Sequence, residues 1–253
     1  LWIMIVWVCK RKKRNWTMPT SKVRSSNDAG EAEKVQDSKV IQAMQTFMDK
    51  TFRDRNYKGQ FKPQKLQVME VFRVKNYSAM ADLQEYKNEL RERRGVCQTL
   101  SEQVLSANPP SQLQAASDET MNEYLMFHGT NAAAANAIIE TDFRLPKDHK
   151  HGAVYGSGIY VAETNTKAHM YCTPDNRGWV PILVVRAILG DIHSTDAESP
   201  DTDDLERMVR GGAADSICGD RRNLRYNFSG WREFIVYDNA QVAVEWLVWC
   251  KPR

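Results

Sequence analysis

The sequence predicts an α+β fold built on mixed, mostly antiparallel strands, and three observations carry that expectation. Apolar, strand-like runs crowd into the second half, at 124–127, 158–163, 179–190, 231–238 and 243–250. They lack the regular strand–helix alternation of a doubly wound sheet. Helical periodicity marks the first half, at Ile41, Met44, Phe47, Met48 and Phe52 and again at Met80, Leu83, Tyr86 and Leu90. The chain has 253 residues, 42% of them hydrophobic. That is enough for one sizeable domain with an extension, or for two small ones. No internal repeat is apparent.

Taken in order, the chain opens with nine apolar residues followed by five consecutive Lys or Arg, "LWIMIVWVCKRKKRN", and does not start on a methionine. It therefore reads as a fragment. Nine residues rise about 14 Å as a helix, too short to span a bilayer. They suit the end of a spanning helix with a positive cytoplasmic flank. The competing readings are an import or anionic-surface patch in "KRKKR", and a solvated basic linker beside a stray strand. The expected compartment is intracellular, cytoplasmic and facing the cytosol if the run anchors a membrane, with the nucleus as the alternative.

Residues 15–39 have the small, polar composition of a linker. Three regions result: an apolar and basic segment with linker over 1–35, a helical lead-in over 36–60, and a globular domain over 61–253. Gly59 with Pro63 closes the first helix. Leu66 to Val74 alternates as a strand, with Leu66, Val68, Phe72 and Val74 on one side, and the next helix runs into "RERR".

Residues 1–34 hold eight Lys or Arg against three Asp or Glu. The remainder is slightly acidic, a poor match for a nucleic-acid backbone, so no direct nucleic-acid binding is expected of the body. Small molecules or proteins suit it better. Five cysteines without a C-x-x-C pair read as reduced thiols. His149, His151, His169 and Cys172 have short chelating spacings, but nothing fixes the two pairs against each other, and no metal is expected.

The segment "YLMFHGTNAAAANAIIE", 124–140, places a buried strand over Tyr124 to Phe127, an N-cap at Thr130 and a helix over Ala132 to Ile139. His128 and Gly129 fall at the junction, where unpaired amides and a missing side chain let a polar small molecule approach the main chain. A capped turn with a solvated histidine is the plainer reading. In "YGSGIYVAETNTKAHMYC", 155–172, the glycines around Ser157 fit neither the G-x-S-x-G elbow nor G-x-G-x-x-G, which argues against a serine hydrolase and a Rossmann domain. A short helix follows, capped by Thr164. Tyr160 and Tyr171 suit the two walls of a slot for a flat aromatic ligand, or the core.

In "WREFIVYDNAQV", Glu233 stands at the start of an otherwise apolar strand, where a carboxylate is costly unless used or paired. Arg232 beside it offers a surface ion pair as the plainer account. The loop "TDFRLPKDHKHGAVYG", 141–156, suits a flap over a ligand, and Arg144 in it suits a phosphate or ribose, or solvent.

In the order and spacing of "FHGT", "YGSGIYVAE…KAHMYC" and "REFIVYDNAQV", the chain resembles the catalytic domain of the poly(ADP-ribose) polymerase family, the diphtheria-toxin-like ADP-ribosyltransferases. The resemblance covers roughly residues 61–253, and "LQVMEVFRVKN" with "LQEY" looks like the lead-in of mono-ADP-ribosylating members. It implies the ADP-ribosyltransferase fold and a His-Tyr-Glu triad at His128, Tyr160 and Glu233. It further implies NAD+ as substrate, protein acceptors and release of nicotinamide.

By the same resemblance the Gly129 backbone pairs with the nicotinamide carboxamide, Tyr171 stacks on that ring and Tyr160 walls the opposite side. His128 bonds the adenosine-side ribose and Glu233 the nicotinamide-side ribose. Thr130, Arg144 and Lys167 complete the donor-binding set. Many relatives carry a serine after the lysine of the short helix, whereas here Lys167 precedes Ala168. The rival reading is a weak or inactive domain that binds NAD+ or ADP-ribose as a scaffold, and the retained Glu233 favours the enzyme. About 60 residues precede the lead-in strand. They show no pattern of the helical autoinhibitory domain of DNA-dependent members, so activation by DNA breaks is not expected.

Overall fold

A computed structural model describes residues 29–53, 63–113, 117–146, 153–222 and 231–253. The apolar and basic N-terminal run lies outside them, and with it the reading of residues 1–9 as the end of a membrane helix. Among the described residues no helix is long and apolar enough to cross a membrane.

The elements follow as β1 (Glu31–Lys34), α1 (Ser38–Thr51), β2 (Leu66–Lys75), α2 (Tyr77–Arg94), β3 (Glu123–Gly129), α3 (Ala132–Thr141), β4 (Ile159–Ala162), α4 (Asn165–His169), β5 (Val180–Ile188), β6 (Ile192–Thr195), α5 (Thr202–Arg210), β7 (Ser216–Asp220), β8 (Arg232–Val236) and β9 (Val242–Pro252). Their sheet order is β1-β2-β9-β5-β3-β4-β8-β7-β6. Every pairing is antiparallel except β6 with β7. This is the α+β, mostly antiparallel architecture the sequence predicts.

β5 explains why its sequence is almost continuously apolar: all nine residues are buried. Val180, Ile182 and Val184 face one cluster with Met44, Phe47 and Phe127. Leu183, Val185 and Ala187 face the other with Ala135, Ile139 and Phe234. α1 joins the first cluster because Met44, Phe47 and Met48 share one helical face, and each such side chain contributes about 1.5–3 kcal/mol on full burial. Asp37 starts that helix by accepting from the Lys39 N–H at 2.8 Å.

Several boundaries differ from the sequence reading. Residues 31–34, of linker composition, form β1 along the edge of β2. α1 ends at Thr51, with Phe52 as its cap, well before Gly59, which is outside the described residues. In β2 a bulge between Val68 and Glu70 shifts the side-chain phase, so Val71 joins Leu66 and Val68 while Phe72 and Val74 face the other cluster. The simple alternation therefore fails. α3 is capped by Asn131, whose side chain accepts from the Ala134 N–H at 2.9 Å, one residue later than Thr130. Thr164 does occupy the cap position of α4, without a side-chain capping bond. β6, α5 and β7 had no clear signal.

A buried ion network ties β3, β5 and β9 together. Arg186 Nη1 bonds Glu123 at 2.8 Å, and Arg186 Nε bonds Glu245. Glu245 is the residue skipped by a register shift in the β5–β9 pairing. Lys87 completes Glu123 at 3.0 Å and Arg73 completes Glu245 at 2.8 Å. Removing the central cation would leave two enclosed carboxylates underpaired. Arg186→Ala is expected to lower unfolding free energy by about 3–5 kcal/mol in urea denaturation. A loss below about 1 kcal/mol, the scale of an exposed pair, would contradict a network held by Arg186.

Candidate active site

β3 and β4 share one register pair, Phe127↔Ala162. Beyond it they separate, and a cavity of about 690 Å³ opens there, within the range of small-molecule and cofactor sites. His128, Gly129 and Thr130 line it from β3, Tyr160 from β4, Lys167 and Tyr171 from α4 and the turn after it, Arg144 from the loop after α3, and Glu233 from β8. The cavity thus gathers every site residue the sequence singled out. Lys147 to Gly152 of the expected flap, with His149 and His151, lie outside the described residues.

His128 Nδ1 lies 2.9 Å from the Tyr160 carbonyl oxygen. A carbonyl only accepts, so Nδ1 carries the proton and, in the neutral ring, Nε2 is an acceptor. Burial lowers the His128 pKa below its usual 6.5, partly offset by the Tyr160 carbonyl, and so favours the neutral ring. Phe143 packs edge-on against it, with centroids 5.1 Å apart.

Gly129 is a glycine because an added Cβ would strike the backbone carbonyl of Ala168. α4 consequently sits directly on the end of β3. The Tyr160 hydroxyl accepts from Tyr155 N–H at 2.9 Å and donates to Gly156 O at 3.0 Å. Its ring is thereby fixed as a wall, and burial raises its pKa. Gly156 turns with φ of 91°, a left-handed conformation open to glycine.

Glu233 pairs in register with Ala162 on one side and Gly219 on the other. Its Oε1 receives Lys167 Nζ at 3.3 Å and the Tyr171 hydroxyl at 3.5 Å. The Lys167 ammonium also lies 5.1 Å from the Tyr171 ring centroid. Arg232 is not its partner. Successive strand residues face opposite ways, and Arg232 grips Glu163 with Nε at 2.7 Å and Nη2 at 2.6 Å. The surface pair between Arg232 and Glu233 is thereby replaced by two separate pairs. Among the described residues Arg144 forms no ion pair, and it is exposed at the cavity mouth.

Sequence reasoning missed Phe143 and the face of α3 carrying Ala134, Ala137, Ile138 and Thr141, which also line the cavity. Their i, i+3, i+4, i+7 spacing was the available signal. It missed Glu206 of α5 as well, whose Oε1 accepts from Ser157 N–H at 2.8 Å on the cavity wall. Cys172 donates to Pro181 O at 3.0 Å, and burial pushes its thiol up to about 12. Cys97, Asp191 and Asp215 lie close together. Asp215 is taken by Arg93 and Arg94, and Asp191 by Arg94 and the Gln98 N–H, so this group reads as an ion-pair cluster.

His169, on the helix that carries Lys167, is lowered by burial to about 4. Both depressed histidines contribute stability fully above pH 6.5, where they are neutral folded and unfolded. It is lost as pH falls, because the unfolded state takes protons first. Between pH 6.5 and 4, His169 alone should give a slope of about 1.4 kcal/mol per pH unit. Urea denaturation at pH 7 and pH 5 is expected to show the loss, and His169→Asn to flatten it. An unchanged slope in the variant would remove His169 from the account.

The family model described as the poly(ADP-ribose) polymerase catalytic domain matches residues 48–252. "Poly [ADP-ribose] polymerase tankyrase" of Caenorhabditis elegans is 34% identical over 77 residues, 30% of this chain and 3% of that protein. "Poly [ADP-ribose] polymerase 1" of Oryza sativa subsp. japonica is 23% identical over 153 residues, 50% of this chain and 15% of that protein. "Protein mono-ADP-ribosyltransferase PARP14" of Homo sapiens is 32% identical over 80 residues, 31% of this chain and 4% of that protein. The matched stretches span between 3% and 15% of the length of these relatives.

Proposed function

Since the chain belongs to the poly(ADP-ribose) polymerase catalytic-domain family, we propose that it transfers ADP-ribose from NAD+ to protein side chains and releases nicotinamide. The observation that carries this reading is the enclosed Glu233 carboxylate, on the same cavity wall system as His128, Gly129, Tyr160 and Tyr171.

In this reaction the bond between the ribose anomeric carbon and the nicotinamide nitrogen breaks, and nicotinamide leaves with the bonding pair. Positive charge develops at the anomeric carbon, and a nucleophile on the acceptor supplies a new pair to it. The group moved is attached through a pentose carbon, which makes the chemistry pentosyl transfer. Glu233 keeps Oε1 on Lys167 and Tyr171, so Oε2 is the atom for the ribose 2′-hydroxyl. The carboxylate then gains value as the cation forms, which is stabilisation of the transition state more than of bound donor.

His128 presents Nε2 as an acceptor to the adenosine-side ribose, a role in holding and not in proton transfer. The Gly129 backbone, whose side-chain position is closed by the Ala168 carbonyl, is the proposed partner of the carboxamide, and the Tyr160 and Tyr171 rings flank the nicotinamide. Arg144, without an ion-pair partner among the described residues, suits the pyrophosphate.

Transfer of single units is the form we favour, on the lead-in resemblance over residues 66–86. The relatives' names include both polymerases and a mono-ADP-ribosyltransferase. The scaffold reading finds its support in Ala168, which supplies no hydroxyl to the carboxamide. That loss is about 0.5–1.5 kcal/mol, enough to weaken donor binding without abolishing it.

Glu233→Gln keeps shape and loses charge. Turnover, read as nicotinamide release, is expected to fall roughly 10²–10³-fold with nearly unchanged affinity for a non-reactive NAD+ analogue. Full turnover in that variant would overturn the triad. A ladder of automodified wild type on gels with labelled NAD+ would overturn single-unit transfer.

A further inference from the structure

The turn that anchors the Tyr160 hydroxyl is held from outside the cavity. Before it, Tyr155 is fully buried, with its ring against Gly219 and its carbonyl accepting from the Tyr237 hydroxyl. After it, Gly158 is pressed on Ile235 and Val236, where an added Cβ would overlap. Between these two anchors the chain turns through Gly156, at φ of 91°, and Ser157. Glycine has little conformational preference of its own, so the orientation of the Gly156–Ser157 peptide is set by its partners.

That single peptide carries two groups with different partners. Its carbonyl, Gly156 O, accepts from the Tyr160 hydroxyl and from the Gly158 N–H, both at 3.0 Å. Its amide, the Ser157 N–H, donates to Glu206 Oε1 at 2.8 Å. In a planar trans peptide the two groups point opposite ways. Seating the N–H on Glu206 therefore aims the carbonyl at Tyr160. The bond to the carboxylate is charge-assisted and roughly twice as strong as a neutral one, and it polarises the carbonyl that Tyr160 uses.

α5 supplies this carboxylate from a part of the chain remote from every motif of the site. Leu205 and Val209 of α5 pack in one cluster with Tyr155, Ile235 and Tyr237, which fixes the helix against the turn. The Glu206 side chain is 16% exposed and does not line the cavity. Its Oε1 also lies against Gly156, at 2.7 Å from where a Cβ would be. Its Oε2 meets Arg210 Nη2 one turn further on, at 3.4 Å. A helix-surface pair of that spacing contributes little, so the bond to the Ser157 N–H is the more consequential of the two.

We infer that Glu206 is a positioning residue of the donor site: its carboxylate locks the Gly156–Ser157 peptide and thereby holds the Tyr160 ring as a wall of the nicotinamide slot. The inference rests on the reading of the cavity as the NAD+ site and adds to it a residue from behind the cavity wall. Without the carboxylate the turn samples orientations in which Gly156 O no longer meets Tyr160. Only the fraction with the wall in place binds the ring, and apparent affinity falls by that fraction. Bound donor selects the wall-in-place state, so the loss falls on KM and leaves kcat as it was.

The test uses the full chain, with benzamide as the flat carboxamide probe of the slot. Its Kd is read by isothermal titration calorimetry, and KM and kcat for NAD+ by nicotinamide release. Glu206→Ala is expected to weaken benzamide binding and raise KM about tenfold, with kcat within about twofold. Glu206→Met, of similar length but without a strong acceptor, repeats the test with side-chain bulk kept and is expected to give the same loss. Glu206→Gln keeps an oxygen for the Ser157 N–H and is expected to restore affinity to within about threefold of wild type. Arg210→Ala leaves the Oε1 bond in place and is expected to match wild type. Unchanged benzamide affinity in both Glu206→Ala and Glu206→Met would overturn the inference. An equal loss in Arg210→Ala, or in Glu206→Gln, would overturn it as well, since a general loosening of α5 predicts that pattern. So would a fall in kcat at constant KM. A wild type that binds no benzamide would remove the nicotinamide slot itself, whereas binding that ignores residue 206 removes this inference alone.

Discussion

The site depends on how little β3 and β4 are paired. Seven register pairs bind β3 to β5 and four bind β4 to β8, but one pair, Phe127↔Ala162, joins the two halves of the sheet. A fully zipped seam would place side chains of neighbouring strands in contact and leave no room between them. The early parting of the strands opens the cavity instead. The bond from His128 to the Tyr160 carbonyl spans the gap just past the last pair. One contact therefore both limits the opening and sets which histidine nitrogen faces it.

Strand geometry then divides labour at the other wall. Alternation along β8 sends Arg232 and Glu233 to opposite faces, so each acidic group acquires its own cation, Glu163 that of Arg232 and Glu233 that of Lys167. A direct Arg232–Glu233 pair would have consumed the carboxylate. The two-fold period of the strand keeps Glu233 enclosed yet held, among the described residues, through Oε1, on Lys167 and Tyr171.

Legibility in the sequence followed the length and strength of local signals. β5 and β9 were readable because burial on both faces demands long apolar runs. His128, Tyr160 and Glu233 were readable through their motifs, and all three meet at one cavity. β1, β6 and β7 were not, although β4 and β8 are no longer than they are: Glu31–Lys34 and Ile192–Thr195 are largely polar and at most partly covered, and Ser216–Asp220 holds a single branched apolar residue, Ile217, so their strand form follows from the partners they pair with. The phase of β2 was lost to a bulge, which changes the side-chain period at a point no composition marks. Glu206 was invisible for a different reason: its partner, the Ser157 N–H, is 49 residues away in the chain. Thr130 against Asn131 as the cap was a choice between adjacent good cappers, decided by which side chain reaches the Ala134 N–H.

The nicotinamide end of the proposed site is made mainly of backbone and rings, and this bears on Ala168. Close approach of α4 to β3 requires glycine at 129 and brings the Ala168 carbonyl against it, whatever side chain residue 168 carries. That carbonyl already accepts the Tyr171 N–H at 3.0 Å, which fixes the turn leading to the Tyr171 ring. The geometry of the slot is thus set by main-chain packing, and a hydroxyl at 168 would add one hydrogen bond to a slot whose walls exist without it. Exchange of serine for alanine there would alter affinity by the value of that bond and would leave Glu233, on β8, in place for the role proposed for it.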